Sequence, residues 1–366
     1  MKIHIDASRA LDPQPTGVNI YAQEIIDHLT RANSGDEFIL YAPSWSAGRE
    51  KKVFPELKNV TWKFLRWPPK FLWTQICLAF VWARADKKDA VFFAPAHVAP
   101  LFSPKNLVVV IHDIAFEFLP EAFSARERLF ARVMTRMNAR VAKKIIVPSS
   151  ETKKQLVEIL QIEPEKIFVT PFALPCSTLV HAQALPISRP PFILSVGRIE
   201  YKKGIDILIR AFDVLRARGS EIELVLVGKP GIGYEQIKKN IDASPFRKHI
   251  HELGFVSDEM LAGLYGAARA LALPTRYEGF GFNFLEGMAR GVPVVGMNRG
   301  SVGEVVGDGA AIAIDEQEFT ELLDRTIQNE MFRENLIERG IRRLQLFTWE
   351  RTARLTLDIL AESCYK

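Results

Sequence analysis

The sequence has little cysteine and no long apolar run, and both absences narrow the class of protein. Three cysteines stand far apart among 366 residues in no metal-ligand spacing, which argues against a disulfide framework and favours a reducing compartment. The most lipid-like run, residues 71–83, is shorter than the roughly 20 residues that cross a bilayer. Asp6 lies where a signal peptide would be apolar. We therefore expect a cytoplasmic globular protein.

The charge distribution differs between the two halves of the chain. Apolar residues make up 48% and charged residues 25%, as in ordinary globular proteins, and the length suggests two domains. Residues 1–182 carry 24 Lys and Arg against 18 Asp and Glu, so they hold all the excess positive charge of a chain with net charge +5. An acidic partner, such as anionic lipid or phosphate, is therefore predicted for the first half.

Short apolar segments alternate with helical patterns twice along the chain. Strands are predicted at 2–6, 37–41, 89–94, 107–111, 144–148, 166–171, 192–196, 222–227, 249–253, 270–274, 292–296 and 310–314. Helices are predicted at 18–31, 124–142, 204–217, 258–267 and 350–363. Continuous apolar strands separated by helices are typical of parallel sheets covered on both faces. The prediction is an α/β fold with two Rossmann-like, doubly wound domains facing a central cleft.

The stretch 175–191 contains several prolines, little charge and no periodicity, and it is predicted to link the two domains. We place the first domain at 1–182, the second at 183–343 and a final helical segment at 344–366. The residues alone leave open which domain this last helix packs against. Such sheets bind ligands at the carboxyl ends of their strands, so the cleft is the expected site.

Residues 276–286, RYEGFGFNFLE, form the most informative motif. A helix that starts near Phe282, after a glycine-rich turn, would direct free N–H groups at an anion. Glu278 and Glu286 could bracket a polyhydroxy ligand, because each carboxylate accepts two charge-assisted hydrogen bonds. An ordinary glycine turn before a helix is the competing interpretation of this motif.

Two cations lie at the opening of the second half. Gly197 and Arg198 follow the strand at 192–196, and Lys203 and Gly204 precede the next helix. Beside a helix N-terminus at the carboxyl end of a strand, Arg198 and Lys203 could clamp a diphosphate. A basic surface turn is the alternative for these residues taken alone.

The second half resembles the retaining glycosyltransferases of family 4, which have the two-domain GT-B fold. The resemblance rests on residues 195–212 (SVGRIEYKKGIDILIRAF), 225–231 (VLVGKPG), 252–310 and 347–350 (FTWE). Together with matches in the first half it covers essentially the whole chain. It implies a nucleotide-sugar donor and no cofactor. It also implies that the first domain, residues 1–182, binds the acceptor, that the second, residues 183–343, binds the donor, and that the last helix crosses back to the first domain.

The resemblance also implies which residues bind the donor. Arg198 and Lys203 would bind the diphosphate, Glu286 the ribose and Glu278 the sugar hydroxyls. The turn at 254–256 would lie against the base, and the loop at 16–18 would close over the donor. The full implied set is Gly17, Arg198, Lys203, Val256, Glu278, Gly279, Phe280, Gly281, Phe282 and Glu286.

His112 is the candidate for contact with the transferred sugar and the acceptor. A lone histidine at a strand end is more often structural. The resemblance instead implies that it donates a hydrogen bond to a hydroxyl or a backbone carbonyl near the reacting carbon. With Arg198, Lys203 and Glu278 it makes up the implied catalytic set.

No carboxylate is an obvious covalent nucleophile, so the family's front-face displacement with retention is the expected mechanism. The cations and the helix dipole would stabilise the departing diphosphate. The sequence contains no Asp-x-Asp and no His/Cys cluster at metal spacing, so no metal is expected.

A basic stripe is predicted on the helix at 124–142. Its members recur every four residues and are Arg128, Arg132, Arg136, Arg140 and Lys144. The apolar face of the same helix is predicted to hold Leu129, Phe130, Val133, Met134, Met137 and Val141. Together with the aromatic and basic run at 67–82, the stripe predicts that the protein docks on an anionic membrane. The predicted surface is the inner face of the cytoplasmic membrane, where the protein would reach a lipid-linked acceptor. A solvated arginine face is the alternative, and no recognition motif supports nucleic-acid binding.

The predicted reaction is transfer of a hexose to a hydroxyl of a glycan or lipid-linked acceptor. Segments 16–25 and 112–124 resemble bacterial mannosyl- and deoxyhexosyltransferases of surface-polysaccharide and lipopolysaccharide assembly, which favours GDP-mannose or a related GDP-sugar. A UDP-sugar donor is the first alternative. A nucleotide-sugar epimerase of the same fold and a non-catalytic sugar- or membrane-binding homologue are the others, although the intact candidate residues argue against the last.

Overall fold

The computed structural model describes residues 1–13, 16–32, 35–67, 72–100, 102–175 and 191–364. Two compact units make up the chain. The first comprises Met1–Ile114, Arg126–Pro175 and the C-terminal segment from Phe347, and the second comprises Ala115–Ala125 and the described residues up to Leu346. The predicted boundary between residues 182 and 183 lies outside the described residues.

The first unit is built on a parallel sheet. Its strands, over the described residues, are β1 Lys2–Asp6, β2 Glu37–Pro43, β3 Val60–Leu65, β4 Ala90–Ala94, β5 Leu107–Val110, β6 Lys144–Val147 and β7 Ile167–Val169. They lie side by side in the order β3-β2-β1-β4-β5-β6-β7. This order, which runs outward in both directions from the first strand, is that of a doubly wound Rossmann sheet.

The second unit repeats the same arrangement. Its strands are β8 Phe192–Val196, β9 Glu223–Val227, β10 Ile250–Gly254, β11 Ala270–Leu273, β12 Val294–Met297 and β13 Ala311–Ala313, in the order β10-β9-β8-β11-β12-β13. All of these pairings are parallel. The predicted α/β class with two Rossmann-like sheets is therefore confirmed.

Helices connect the strands in both units. Numbered along the described chain, they are α1 Gly17–Ala32, α2 Glu50–Val53, α3 Ala79–Arg84, α4 Ala115–Phe118, α5 Ala125–Val141, α6 Ser150–Leu160, α7 Ile205–Ala217, α8 Tyr234–Ala243, α9 Asp258–Ala267, α10 Phe282–Ala289, α11 Val302–Val306, α12 Glu316–Gln328, α13 Glu330–Leu344 and α14 Trp349–Ser363. Side-chain caps define several starts: Ser257 begins α9, Asp315 begins α12 and Thr348 begins α14. No helix within the described ranges is long and apolar enough to cross a membrane.

Burial explains which strands the sequence predicted. Every residue of β4 and β5 is buried, and such continuous apolar runs are easy to recognise. The edge strand β3 was not predicted, because Thr61 and Lys63 are exposed and Trp62 is only half-buried, so its run lacks the continuous apolar character. The other strands and the predicted helices formed close to their predicted positions.

One segment of the predicted first domain packs with the second unit. In the segment Ala115–Ala125, which begins with α4, Leu119 and Ala122 bury their side chains against Tyr277. The ring of Phe118 also stacks on Tyr277, with 5.3 Å between the centroids. The segment Ala115–Ala125 therefore belongs to the second unit, although its position in the chain lies within the predicted first domain, residues 1–182.

The last helix, α14, packs in the first unit. The indole Nε1 of Trp349 donates to the carbonyl of Leu174 at 2.7 Å, and the hydroxyl of Thr352 donates to the carbonyl of Pro171 at 2.7 Å. The Trp349 ring is 4% exposed and stacks on His28, with 5.6 Å between the centroids. A buried ring and two hydrogen bonds thus attach this helix to residues far away in sequence.

Replacing Trp349 with alanine should destabilise the first unit by about 3–5 kcal/mol, because the large buried side chain leaves a cavity and the carbonyl of Leu174 loses its donor. All six tryptophans lie in the first unit, so tryptophan fluorescence during urea unfolding reports on this unit alone. Phe102→Ala, at a ring that is 82% exposed, is the control and should change the free energy of unfolding by less than about 0.5 kcal/mol. Equal stability of the two variants would contradict the attachment described for α14.

Candidate functional site

The carboxyl ends of β8 and β11 meet where the strand order of the second sheet reverses. The loops that leave these neighbouring strands run in opposite directions, which opens a crevice where doubly wound folds bind ligands. The residues that line a small notch here are Ser195, Val196, Gly197, Arg198, Lys203, Ile205, Leu273, Thr275, Glu278, Asn283 and Phe284. The notch has a volume of about 10 Å³, enough for about one water, so it can anchor one group of a larger ligand. Three predicted residues, Arg198, Lys203 and Glu278, form part of its wall.

The loop after β8 is tied firmly to the loop after β11. Gly204 has a φ of +66°, and a Cβ at this position would lie 1.9 Å from the carbonyl oxygen of Pro274, so the close approach requires glycine. Arg276 forms a bidentate pair with Asp206, with both N–O distances 2.7 Å, and also donates to the carbonyl of Tyr201 at 2.9 Å. A bidentate pair of this kind restricts both side chains. The two loops therefore hold their functional side chains in a defined relation.

Lys203 and Glu278 form a direct ion pair in the notch. Nζ of Lys203 lies 2.6 Å from Oε1 of Glu278, and the two side chains are 23% and 13% exposed. The hydroxyl of Thr275 lies 3.2 Å from the same carboxylate oxygen, and the carbonyl of Glu278 accepts from the N–H of Ser301 at 3.0 Å. Gly279, the next residue, is buried. A cation suited to phosphate and an anion suited to hydroxyl groups are thus held side by side.

Arg198 is more accessible than this pair. Its side chain is 63% exposed, and its Nε lies 3.7 Å from a carboxylate oxygen of Glu200. An exposed ion pair at this distance contributes little free energy. The guanidinium can therefore turn towards an anionic ligand at small cost.

Helix α10 begins directly beside the notch, as the glycine pattern predicted. Gly281 has a φ of +90° and precedes Phe282, the first helical residue. The amide of Asn283 donates to the carbonyl of Val196 at 2.5 Å, which joins the helix start to the end of β8. Phe280 is buried and packs edge-on against Phe282, with 5.4 Å between the centroids. The helix start therefore offers N–H groups at a fixed position for an anion.

Glu286 is the second carboxylate of the motif and lies on α10. Its Oε2 accepts a hydrogen bond from the hydroxyl of Tyr265 at 3.1 Å. Burial raises the pKa of the Glu286 carboxyl, whereas Tyr265, Arg290 and Lys203 act in the opposite direction. The two carboxylates thus differ in their partners, since Glu278 pairs with a cation and Glu286 with a tyrosine hydroxyl.

Seven of the ten predicted donor-binding residues do not line the notch. Two of these seven, Val256 and Gly17, lie on neither the loop after β8 nor the segment from β11 into α10. Val256 is half-buried in the turn between β10 and α9, and β10 is the edge strand of its sheet. Its neighbour Phe255 is 74% exposed, with Nζ of Lys229 at 5.0 Å from the ring centroid. Gly17 is the exposed first residue of α1 in the first unit. The roles of Val256 and Gly17 stay predictions.

His112 lies in the first unit, just after β5, and is 7% exposed. Its Nε2 lies 3.0 Å from the carbonyl oxygen of Pro95, and its backbone N–H donates to Nε2 of His97 at 3.2 Å. Burial, with a smaller contribution from His97, lowers the pKa of His112 to about 3. The ring is therefore neutral near pH 7. Since a carbonyl only accepts hydrogen bonds, Nε2 carries the proton and Nδ1 is an acceptor.

Four residues of these sites were not singled out in the sequence. Thr275 directly precedes the predicted motif and Asn283 lies within it, so their position was a usable signal. Tyr265 and His97 come from other parts of the chain, on α9 and after β4. Only tertiary packing brings them to Glu286 and His112.

The predicted basic stripe needs correction at its end. Helix α5 stops at Val141, and Lys144 is the first residue of β6, where its Nζ pairs with Glu362 and lies 4.4 Å from the ring centroid of Phe168. Lys144 therefore belongs to the attachment of α14. Arg136 and Arg140 are exposed on the helix itself, and the remaining members, Arg128 and Arg132, are half-exposed.

The predicted apolar face of α5 is also only partly buried. Leu129 is 64% exposed, Phe130 56% and Val133 44%. The buried residues of α5 are instead Met134, Thr135, Asn138 and Ala139. The amide of Asn138 donates to the carbonyl of His97, so a polar contact takes the place of the expected apolar one. The first turns of α5 thus present apolar side chains on the surface beside arginines.

Gly204→Ala should destabilise the second unit by about 2–5 kcal/mol, since the new Cβ combines an unfavourable φ with a clash against the carbonyl of Pro274. Gly219→Ala is the matched control: its φ is +90°, but no atom of the described residues lies within 4 Å of the added Cβ, so a loss of only about 1 kcal/mol is expected. Scanning calorimetry measures both losses. Equal losses would mean that the close approach of the two loops does not constrain this position.

Two family models match the chain. The model described as Glycosyltransferase Family 4 matches residues 15–175, and the model described as Glycosyl transferases group 1 matches residues 179–343. The first match covers most of the first sheet, and the second contains the notch and both carboxylates of the motif.

Relatives and solved structures agree with these matches. O-antigen chain mannosyltransferase B of Escherichia coli is 26% identical over 98% of this chain and 99% of its own length. The structure of HepE from Anabaena with UDP and glucose has a TM-score of 0.74 at 20% identity, over 99% of this chain and all of that one. The structure of WaaG, a glycosyltransferase of lipopolysaccharide biosynthesis, has a TM-score of 0.71 at 14% identity, over 98% of this chain and 99% of that one. At these identities the two structures show the fold alone. The chain therefore belongs to glycosyltransferase family 4, and it is a transferase with the two-domain GT-B fold.

Proposed function

We propose that this protein transfers a mannosyl group from GDP-mannose to a hydroxyl of a growing bacterial surface polysaccharide, with retention of configuration. The similarity to O-antigen chain mannosyltransferase B over nearly the whole of both chains supports the sugar and the acceptor class. The observation that carries the proposal is the Lys203–Glu278 ion pair at the carboxyl ends of β8 and β11. It sets a phosphate-binding cation directly beside a hydroxyl-binding carboxylate.

The donor diphosphate would bind to Arg198, Lys203 and the N-terminus of α10. Charge-assisted hydrogen bonds and the positive end of the helix dipole both favour an anion there. Lys203 already has Glu278 as a partner, so the diphosphate would replace the carboxylate in that contact. The exchange keeps Lys203 paired and releases Glu278 to accept hydrogen bonds from the donor sugar.

In the proposed reaction the bond between the anomeric carbon and the diphosphate breaks while the acceptor oxygen bonds to the same face of that carbon. The leaving phosphate oxygen takes the acceptor's proton. Arg198, Lys203 and the helix start stabilise the charge that develops on the diphosphate. The neutral His112 ring would accept a hydrogen bond at Nδ1 from a hydroxyl of the acceptor or the transferred sugar, since its Nε2 is engaged with Pro95.

A UDP-sugar is the alternative donor, because the solved structure of HepE was obtained with UDP and glucose. The Glu278 and Lys203 arrangement serves either nucleotide, since the diphosphate and sugar are common to both. Contacts to the base would therefore decide between them. An epimerase would act on the donor without any acceptor, so a requirement for acceptor excludes it.

Calorimetric titration with GDP, UDP, ADP and dTDP tests the donor site. GDP should bind most tightly, and EDTA should leave its affinity unchanged. Lys203→Ala should weaken GDP binding by about 10- to 100-fold, the effect expected on loss of a charged hydrogen-bond partner worth about 1.5–3 kcal/mol.

Lys239→Ala, at an exposed lysine of α8, removes the same charge and is the control. It should bind GDP as the unaltered protein does. Tight binding of UDP in place of GDP would transfer the proposal to the alternative donor. If Lys203→Ala leaves GDP binding unchanged, Lys203 is not part of the donor site.

We further propose that α5 docks on an anionic membrane. Exposed Leu129, Phe130 and Val133 lie on the same helix as the exposed Arg136 and Arg140. Exposed apolar side chains together with arginines suit the boundary between lipid headgroups and acyl chains. The positive excess of residues 1–182 adds a longer-range attraction to such a surface.

The double variant Arg136→Glu and Arg140→Glu should bind vesicles containing anionic phosphatidylglycerol at least tenfold more weakly, because reversing two charges changes the net charge of the helix surface by four units. Added salt should also weaken the binding of the unaltered protein to these vesicles. The control, Arg339→Glu with Arg342→Glu on α13, changes the charge equally in the second unit. Equal loss in both double variants would show that only net charge matters, and α5 would then not be the docking surface.

A further inference from the structure

Glu286 lies one turn into α10, and a single side chain holds its carboxylate. The hydroxyl of Tyr265, on α9, donates to Oε2 of this carboxylate at 3.1 Å. No other side chain among the described residues forms a hydrogen bond with it, so Oε1 keeps its full capacity to accept. Glu278 differs, because both Lys203 and Thr275 contact its Oε1.

The place of Glu286 on α10 relates it to the notch. It follows Asn283 by three residues, so the two side chains share one face of the helix, and Asn283 lines the notch. Three residues advance a helix by about 4.5 Å. Burial raises the pKa of Glu286, and Lys203 is among the groups that oppose this shift, so the two residues lie within electrostatic reach. In a nucleotide the ribose is joined directly to the phosphates, so a carboxylate at this offset would meet the ribose when a diphosphate occupies the notch.

Tyr265 is a fixed hydrogen-bond donor. Its side chain is 0% exposed, and the guanidinium carbon of Arg290 lies 4.9 Å from the centroid of its ring. Burial, with a further contribution from the Glu286 carboxylate, raises the pKa of the Tyr265 hydroxyl well above its usual value. The hydroxyl therefore keeps its proton at neutral pH. A buried ring that retains its proton presents the donor in one place.

Arg290 supports this arrangement without occupying the carboxylate. Its backbone N–H donates to the carbonyl of Glu286 at 3.2 Å, and its guanidinium lies over the Tyr265 ring. Within the described ranges this guanidinium forms no ion pair with Glu286. A bidentate arginine would occupy both carboxylate oxygens, whereas a single hydroxyl occupies one.

Holding one oxygen directs the other. The terminal torsion of a glutamate has broad minima, so a carboxylate without a partner samples many orientations. Ordering such a side chain when a ligand binds costs conformational entropy. A hydrogen bond at Oε2 that exists before the ligand arrives reduces this cost and gives Oε1 a defined direction.

We propose that Tyr265 is a positioning residue, which holds Oε2 of Glu286 so that Oε1 accepts a hydrogen bond from a ribose hydroxyl of the donor nucleotide. The proposal rests on the proposed nucleotide-sugar donor and deepens it, because it assigns part of the donor affinity to a residue that does not touch the donor. Tyr265 would act through the carboxylate alone. Its effect on binding should therefore depend on one hydroxyl of the ligand.

Tyr265→Phe keeps the buried ring and removes the hydroxyl, and calorimetric titration with GDP, 2′-deoxy-GDP and 3′-deoxy-GDP measures the result. The unaltered protein should bind one or both deoxy nucleotides about tenfold more weakly than GDP, the effect of losing one hydrogen bond to a charged group. Tyr265→Phe should also bind GDP about tenfold more weakly. For the deoxy nucleotide that lacks the bonded hydroxyl, the variant should lose no more than a further twofold, because the ligand partner of Glu286 is already missing.

Tyr234→Phe is the matched control. The hydroxyl of Tyr234, on α8, donates to Oε2 of Glu252 at 3.0 Å, so this variant removes the same kind of bond from the same unit. It should bind GDP within twofold of the unaltered protein and keep the full difference between GDP and the deoxy nucleotides.

Other outcomes would overturn the proposal. Equal losses for GDP and both deoxy nucleotides in Tyr265→Phe would mean that Tyr265 only supports the local fold, and no loss would mean that it has no part in binding. Equal affinity of the unaltered protein for all three nucleotides would mean that Glu286 does not bind a ribose hydroxyl.

Lys203→Ala separates this proposal from that of the donor site. Nucleotide binding that depends on Lys203 but not on Tyr265 removes only the role of Tyr265, and the reverse removes only the assigned diphosphate contact. If the unaltered protein binds neither GDP nor UDP, both proposals are wrong. If it binds UDP in place of GDP, UDP and its deoxy forms should show the same pattern of losses.

Discussion

Both sheets reverse their strand order beside their first strand, and the crevice that holds the Lys203–Glu278 pair follows from this constraint. Where the connections of two neighbouring parallel strands leave in opposite directions, their loops diverge at the carboxyl edge of the sheet. A crevice remains between these loops. In the second sheet this crevice lies between β8 and β11 and holds Lys203 and Glu278. In the first sheet it lies between β1 and β4, beside a pocket lined by Trp45, Trp73 and Phe130 among others.

The second unit combines rigid backbone ties with charges that can change partner. The close contact at Gly204 and the bidentate pair of Arg276 with Asp206 fix the loops. Lys203 and Glu278 then compensate each other while no ligand is bound, which avoids two unpaired and partly buried charges. A diphosphate sugar carries both an anion and hydroxyls, so it can satisfy both members of the pair at once. The site therefore needs no large rearrangement to exchange its internal contact for the ligand.

In the first unit, the candidate residue His112 is buried and neutral, and the candidate cations Arg136 and Arg140 are exposed. Burial keeps His112 neutral, and the carbonyl of Pro95 determines which ring nitrogen carries the proton. The basic charge is exposed on α5, next to apolar side chains that the core leaves uncovered.

The sequence by itself determined the described strands except β3, the starts of six helices and the motif with its two carboxylates, because continuous apolar runs, helical periodicity and glycines act locally. It also pointed to Arg198 and Lys203, since a cation between the end of a strand and the start of a helix lies at the carboxyl edge of the sheet. Only the tertiary structure decided that Lys203 pairs with Glu278, that Tyr265 binds Glu286, and that Lys144 belongs to the attachment of α14. It also decided that Ala115–Ala125 packs on Tyr277 and that half of the expected apolar face of α5 stays exposed. Those outcomes depend on which distant surfaces meet, and periodicity along the chain carries no information about the partner surface.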